Sequence, residues 1–528
     1  MGAARRRHDS GRRVLVFSRS GGGYCSEAVS FVRALSDHSD LRVTIDQHGD
    51  SISRRFLEEL PPATSASLQQ LYKRHVDPSR SIAVCHSEPG AWVPSKYPTT
   101  LCPPSGAAFS VGRTMFETDR LPDGWSERLN RMDEVWVPTE FARGVFEAGG
   151  VAPAKLVVVG EPVDVDEFDP ATVPPLPHDL IEGAAGEGGP WGAALAGAGG
   201  RRVTRFLSVF KWEYRKAWDV LLKAFLGGFV AEEPAVLYVL TSAYHSTSDF
   251  AGEMRRFQES QLSCAAIDAA ADEVLAAHGG GDGQHASSVD DALPRPSDFC
   301  IDFAAEEGSG GAGPAAGMRS GNETVARRAA ELRASVRRLL PSLLPRYRVL
   351  RRLSQSELPS AYASVDALVL PSRGEGWGRP HVEAMSMGLP VLATNWSGPT
   401  AFLDESNGFP VPYTHLRPVP DGPFAGHLMA EPDERALRAA MRAVMEDPAE
   451  AARRGARARE DMKARFSPGA LAEAVRAHVA RIEAAVAGRP ARTGRARRGD
   501  SAPLPPRVPS EADDSAARAH DGARGGEL

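Results

Sequence analysis

The sequence predicts an α/β protein made of two Rossmann-like halves, each a doubly wound parallel sheet, facing a central cleft. Three observations carry this reading. Short β-branched runs alternate with amphipathic helical stretches along residues 13–170, the pattern of parallel strands joined by crossover helices. A stretch rich in glycine, alanine and proline, residues 171–202, then breaks the pattern, and a second alternating set begins beyond it. The 528 residues are enough for two or three domains.

The first strand is Arg13 to Ser18, RVLVFS, followed by Gly21, Gly22 and Gly23 and by a helix whose apolar stripe is Ala28, Phe31, Val32 and Leu35. LRVTID, SIAVCH, AAFSVG, DEVWVP and KLVVVG supply five more strands of the N-terminal half, residues 13–170. Residues 203–487 form the second half. There Arg205 to Phe210 is a strand, Trp218, Leu221, Leu222 and Phe225 face the next helix inward, and AVLYVL follows. Residues 278–321 read as a disordered insertion rich in Gly, Ala and Ser, after which a helix striped by Val325, Ala329, Leu332 and Val336 precedes the strands RYRVLR, DALVLP and PVLATN. A final helix is expected to pack back on the N-terminal half. Residues 1–12 and 488–528 are expected to be disordered, and the tail arginines 489, 492, 495, 497 and 498 read as a solvated charge run that could touch anionic lipid.

Composition narrows the function. The charge of -6, from 62 basic and 68 acidic side chains, offers no basic field for nucleic acid. No apolar run reaches the roughly 18 residues of a membrane span, so any membrane contact would be peripheral. Five cysteines, scattered and without a C-x-x-C pair, point to free thiols in a reducing compartment and to no zinc site. Asn395, in a formal N-W-S acceptor inside a loop between strands, adds to the expectation of a cytoplasmic protein. Only seven cations are lysines, so each lysine is a mild signal.

The densest chemistry lies in Pro371 to Thr400, PSRGEGWGRPHVEAMSMGLPVLATNWSGPT. Gly374, Gly376 and Gly378 let backbone approach a ligand, and Pro380 suits the first turn of a helix that stops at Gly388. The N-terminus of that helix offers free N–H groups and a positive dipole end to a phosphate or to sugar oxygens. Glu375 on the loop and Glu383 within the helix are placed to hold two parts of one ligand.

This segment resembles the E-x7-E signature of the family-4 (group 1) retaining glycosyltransferases, which have the GT-B fold. The likeness extends to MDEVWVPTEFARGVFEAGGVAPAKLVVVGEPVDVDEFDP and to FLSVFKWEYRKAWDVLLKAF. It implies that Glu375, with the neighbouring Gly376, Trp377, Gly378 and Arg379, faces the donor sugar, and that Glu383 holds ribose hydroxyls. It implies as well that Lys211 and Lys216 face the donor diphosphate, Lys211 standing where the family has arginine and Arg215 lying beside. Gly22 and Gly23 could approach phosphate or acceptor, or the glycine cluster could be only a tight turn. The histidine the family places before its DEVWVP-like segment is missing from VGRTMFETD, which carries Arg113, Glu117 and Asp119. His86 is the nearest substitute for it, and Glu88, Glu117 and His48 are acceptor-side candidates.

The expected function is therefore transfer of a hexose, with retention, from a nucleoside-diphosphate sugar to a hydroxyl of a glycan, lipid or protein. No cofactor and no metal are expected: the resemblance implies that Asp164-Val165-Asp166 falls in the family's ordinary domain-closing segment rather than in a metal-binding D-x-D. A catalytically inactive nucleotide-sugar binding protein and a sugar-nucleotide epimerase of the same fold remain open alternatives.

Overall fold

The computed structural model describes residues 13–18, 23–47, 58, 60, 62–72, 76–96, 100–177, 202–230, 233–243, 249–261, 346–350 and 353–487. The expectations for residues 1–12, 278–321 and 488–528, for most of the linker, for the helix near Val325, and for Gly22 and His48 lie outside them.

Six parallel strands form the N-terminal sheet: β1 (Arg13–Ser18), β2 (Arg42–Gln47), β3 (Ser81–His86), β4 (Phe109–Arg113), β5 (Glu134–Val137) and β6 (Leu156–Val158), in the order β2-β1-β3-β4-β5-β6. The second sheet is parallel as well. It takes β7 (Thr204–Trp212), β8 (Ala235–Ala243), β9 (Arg346–Leu350), β10 (Ala367–Leu370), β11 (Val391–Thr394) and β12 (Phe409–Val411) in the order β12-β11-β10-β7-β8-β9. β13 (Tyr413–Pro418) and β14 (Leu428–Pro432) make a separate antiparallel hairpin.

The strand order reverses between β1 and β3 in one sheet and between β7 and β10 in the other, which opens a crevice at the carboxyl ends of those strands. β3 is buried at every position, as a strand covered on both faces must be, so its sequence shows no alternation. Thr139 caps helix Glu140–Ala148 by accepting from the Ala142 N–H at 3.0 Å, and Asp433 caps Glu434–Glu446 in the same way. One core, with Phe206, Phe225, Leu237 and Val369, packs the second sheet against helices Trp218–Gly228 and Glu434–Glu446. Another joins Leu207, Leu368 and Trp377 to Val163, Phe168 and Leu176, so the segment that follows β6 packs on the second sheet. Helix Pro468–Ala487 sets His478 against Trp136 at 5.9 Å and Arg481 on Glu134 at 2.6 Å.

The cysteine expectation needs correction. Cys85 and Cys102 are joined by a disulfide, both fully buried, while Cys25 is free and buried. The chain folds back after β3, with the Val93 N–H donating to Cys102 O at 3.0 Å, and brings together two residues 17 positions apart. Spacing along the chain carried no sign of that return. The expectation of a cytoplasmic protein is left resting on Asn395. Among the described residues no helix is long and apolar enough to cross a membrane.

Candidate functional site

Adjacency of β7 and β10 explains the centre of the site. β7 runs into a single 3-10 turn, Tyr214–Lys216, and β10 into the loop 371–378, so the two segments meet at the carboxyl edge of the sheet. There Glu375 Oε1 accepts from Lys216 Nζ at 2.6 Å and from Ser372 Oγ at 2.7 Å, and Oε2 accepts from Arg215 Nη1 at 2.9 Å. Arg215 also reaches Gly374 O at 2.8 Å, Glu213 at 2.8 Å and Glu117 at 3.3 Å. Three carboxylates thus surround two cations.

The electrostatics follow from that packing. Burial works to raise the Glu375 carboxyl, but Lys216 and Arg215 outweigh it and hold the group well below the usual carboxylate range. Lys216 is lowered by burial and by neighbouring Arg215, with Glu375 opposing. Glu117 is raised by burial, and Glu375 and Glu213 add to the effect against Arg215.

Loop contacts fix the glycines. A Cβ on Gly374 would sit 2.4 Å from the backbone oxygen of Glu117, so that glycine is needed for the approach of the loop that follows β4, while one on Gly376 would press on the Met115 side chain, 2.6 Å from Sδ. Gly378 caps helix Arg379–Ser386 in a left-handed conformation, φ 115°. On the far side the Glu375 N–H donates to Ser397 Oγ at 2.9 Å, and the Gly398 N–H donates to Glu375 O at 2.9 Å.

Inside that helix, Glu383 accepts from Tyr362 Oη at 3.1 Å, with Arg379 3.6 Å away. Burial raises its carboxyl. Arg379 also donates to Ser30 Oγ of the N-terminal half at 3.2 Å. Trp377 turns inward, between Phe402 at 5.1 Å and Phe466 at 5.2 Å, so its loop backbone and not its ring borders Glu375.

The other sequence candidates are spread more widely. Lys211 lies exposed near the end of β7, and the cations bonded to Glu375 are Arg215 and Lys216. His86 is fully buried at the end of β3, its Nε2 2.8 Å from Glu27 Oε2. Arg113 is equally buried and donates to Glu27 Oε1 at 2.7 Å and to Val159 O, so the side chain standing where a histidine was expected ties β4 to the end of β6. Glu88 precedes the 3-10 turn Pro89–Ala91, half-buried. Gly23 opens helix Gly23–His38. Glu117 is brought to the centre, on Arg215. Asp164 Oδ1 accepts from the Glu167 N–H at 3.0 Å and Oδ2 from Arg33 at 3.3 Å, the contacts of a turn.

Sequence reasoning missed Arg373, Glu27, Glu161 and the β13–β14 hairpin. Glu161 is 1% exposed, its Oε1 has no hydrogen-bond partner, and burial with Glu27 nearby raises it well above an ordinary carboxyl. The hairpin reaches the loop after β4. Thr118 Oγ1 lies 2.9 Å from His427 Nδ1, the Asp119 N–H donates to Leu428 O at 3.1 Å, and Phe116 meets Phe424 edge-on at 5.0 Å. These contacts hold Glu117 over Arg215.

Two facing parallel sheets with a convergent charged cluster at the switch point define the two-domain Rossmann-like GT-B fold. The protein HepE of Anabaena, solved with UDP and glucose, aligns with a TM-score of 0.51 at 12% identity, covering 89% of this chain and 100% of that one. A glycosyltransferase from Rickettsia africae ESF-5 aligns at 0.51 and 13%, covering 90% and 99%. At these identities the likeness is one of fold. Residues 320–447 match the family model for glycosyl transferases group 1. The D-inositol 3-phosphate glycosyltransferase of Kineococcus radiotolerans is 32% identical over 123 residues, 23% of this chain and 26% of the relative, so the shared stretch spans about a quarter of that relative's length. The similarity to group 1 glycosyltransferases is thus carried by residues 320–447, and the fold likeness by the chain as a whole.

Proposed function

We propose that this protein transfers a hexose from a nucleoside-diphosphate sugar to an acceptor hydroxyl, with retention of configuration and without a metal ion. One observation carries the reading: Arg215 and Lys216 converge on Glu375 beside the N-terminus of the helix that holds Glu383. Fixed positive charge of this kind stabilises a departing diphosphate without reorganising during the reaction. Arg215 here takes the place first expected of Lys211. The bond between the anomeric carbon and the diphosphate oxygen breaks as the bond to the acceptor oxygen forms on the same face. The acceptor proton passes to the leaving phosphate. Glu383 would hold the ribose, and Glu117 would border the acceptor side.

Thermal shift with a panel of UDP, GDP and ADP hexoses, paired with release of nucleoside diphosphate without acceptor, tests this directly. Stabilisation by one donor together with slow release supports the reading. Stabilisation without release would favour an inactive binding protein, epimerised donor would favour an epimerase, and no stabilisation by any donor would refute a nucleotide-sugar site.

A further inference from the structure

Arg373 is two residues before Glu375 and touches neither it nor the crevice; it is 0% exposed. Its guanidinium has five N–H donors. All five are used. Nε donates to Glu431 Oε2 at 2.8 Å, Nη1 to Tyr214 O at 2.7 Å and Asp219 Oδ1 at 3.0 Å, and Nη2 to Asp219 Oδ2 at 2.7 Å and Glu431 Oε1 at 3.1 Å. The same group lies over the Tyr214 ring, 4.1 Å from its centroid. Its backbone joins in, for the Arg373 N–H donates to Arg215 O at 2.7 Å and Arg373 O accepts from the Ala430 N–H at 3.0 Å.

Those partners bracket the cation turn. Tyr214 O and Arg215 O, the carbonyls next to the two cations, both bond Arg373. Asp219 lies in the first turn of the helix that follows, and Glu431 lies on β14 of the hairpin, where Arg417 also donates to it at 2.9 Å. Ala217, immediately after Lys216, is held in a left-handed conformation at φ 51°, which a residue with a Cβ adopts only when its surroundings impose it. The turn is therefore not a shape its own sequence prefers. A bidentate fork spanning both flanks can fix it, whereas a point charge of the same sign would satisfy fewer acceptors.

We propose that Arg373 is a positioning residue that fixes the turn 214–217, so that Arg215 and Lys216 are presented together to Glu375 and to the donor diphosphate. The second half of that statement rests on the function proposed above; the first does not. Arg373→Lys should release Lys216 from Glu375 and raise its rate of competitive acetylation by acetic anhydride several-fold, relative to exposed Lys463 in the same protein. Unchanged relative labelling of Lys216 would overturn the positioning role whether or not the protein turns over a nucleotide sugar. For the donor, a double-mutant cycle with Lys216→Met separates positioning from general damage. Arg373→Lys alone should lower the kcat of donor hydrolysis tenfold or more, and should cost a clearly smaller factor on top of Lys216→Met, where only the positioning of Arg215 is left to lose. Losses that multiply would show that Arg373 does not act through Lys216. If Arg373→Lys fails to fold, Glu431→Gln, which removes one arm and leaves the Asp219 fork, should give the same labelling increase and the same non-multiplying loss. A wild type that releases no diphosphate from any donor would sink the proposed function and leave the labelling result to decide the role of Arg373.

Discussion

Replacing Glu27 with glutamine probes the ion cluster at the carboxyl edge of the N-terminal sheet. Glu27 is 0% exposed, bonded by Arg113 at 2.7 Å and approached by His86 at 2.8 Å. Burial alone would raise its pKa, but Arg113 and His86 outweigh burial and lower it to about 2 from the ordinary 4.5. That gap corresponds to about 3 kcal/mol of stability. The unfolded chain binds a proton more readily than the native carboxylate does. The contribution is therefore complete above the unfolded value and is lost as pH falls through the folded one. Glu27→Gln should cost about 3 kcal/mol near neutral pH, more if Arg113 is left as an unpaired buried cation. The deficit should stay flat down to about pH 5 and narrow below it, as the wild type loses the same contribution. Urea unfolding followed by tryptophan fluorescence, repeated across pH, measures both features. A deficit under about 1 kcal/mol, or one that widens toward acid, would refute a stabilising role for the charge.

Other expectations can be checked as simply. Glu383→Gln keeps an acceptor for Tyr362 but removes a charged partner for ribose, so donor affinity should fall about 10- to 100-fold in a calorimetric titration; unchanged affinity would remove Glu383 from the site. Donor hydrolysis should survive chelation and Asp166→Ala, and restoration by manganese of a chelated, inactive enzyme would overturn the metal-free reading. Opening the Cys85–Cys102 disulfide, which spans 17 positions, should cost about 3 kcal/mol by loop-closure entropy; recovery of both thiols by alkylation of the protein unfolded without reductant would show that no bond is formed there.

Much of this protein is local in its logic and was legible in the sequence. Parallel strands such as β3 and β10 are short apolar runs set by their neighbours on both faces, and the helix before Gly388 carries its own start and stop signals. Glu375 and Glu383 stand out for the same reason, since the glycine loop and the helix start are each encoded within a few residues, whereas Lys216 was named through the family resemblance and not through its local sequence. What the tertiary structure decided is which distant residues meet. Lys211 is exposed near the end of β7, while the turn beyond it swings Arg215 onto Glu375, a difference set by strand pleat and by Ala217 and not by residue type. Arg373 gathers Asp219, 154 positions away, and Glu431, 58 positions away, and Glu27 finds Arg113 across 86. Cys85 and Cys102 pair through a fold-back. A buried charge must find an opposite charge somewhere in the core, but one dimension does not say where, because the partner is chosen by the order of strands in a sheet and not by spacing along the chain.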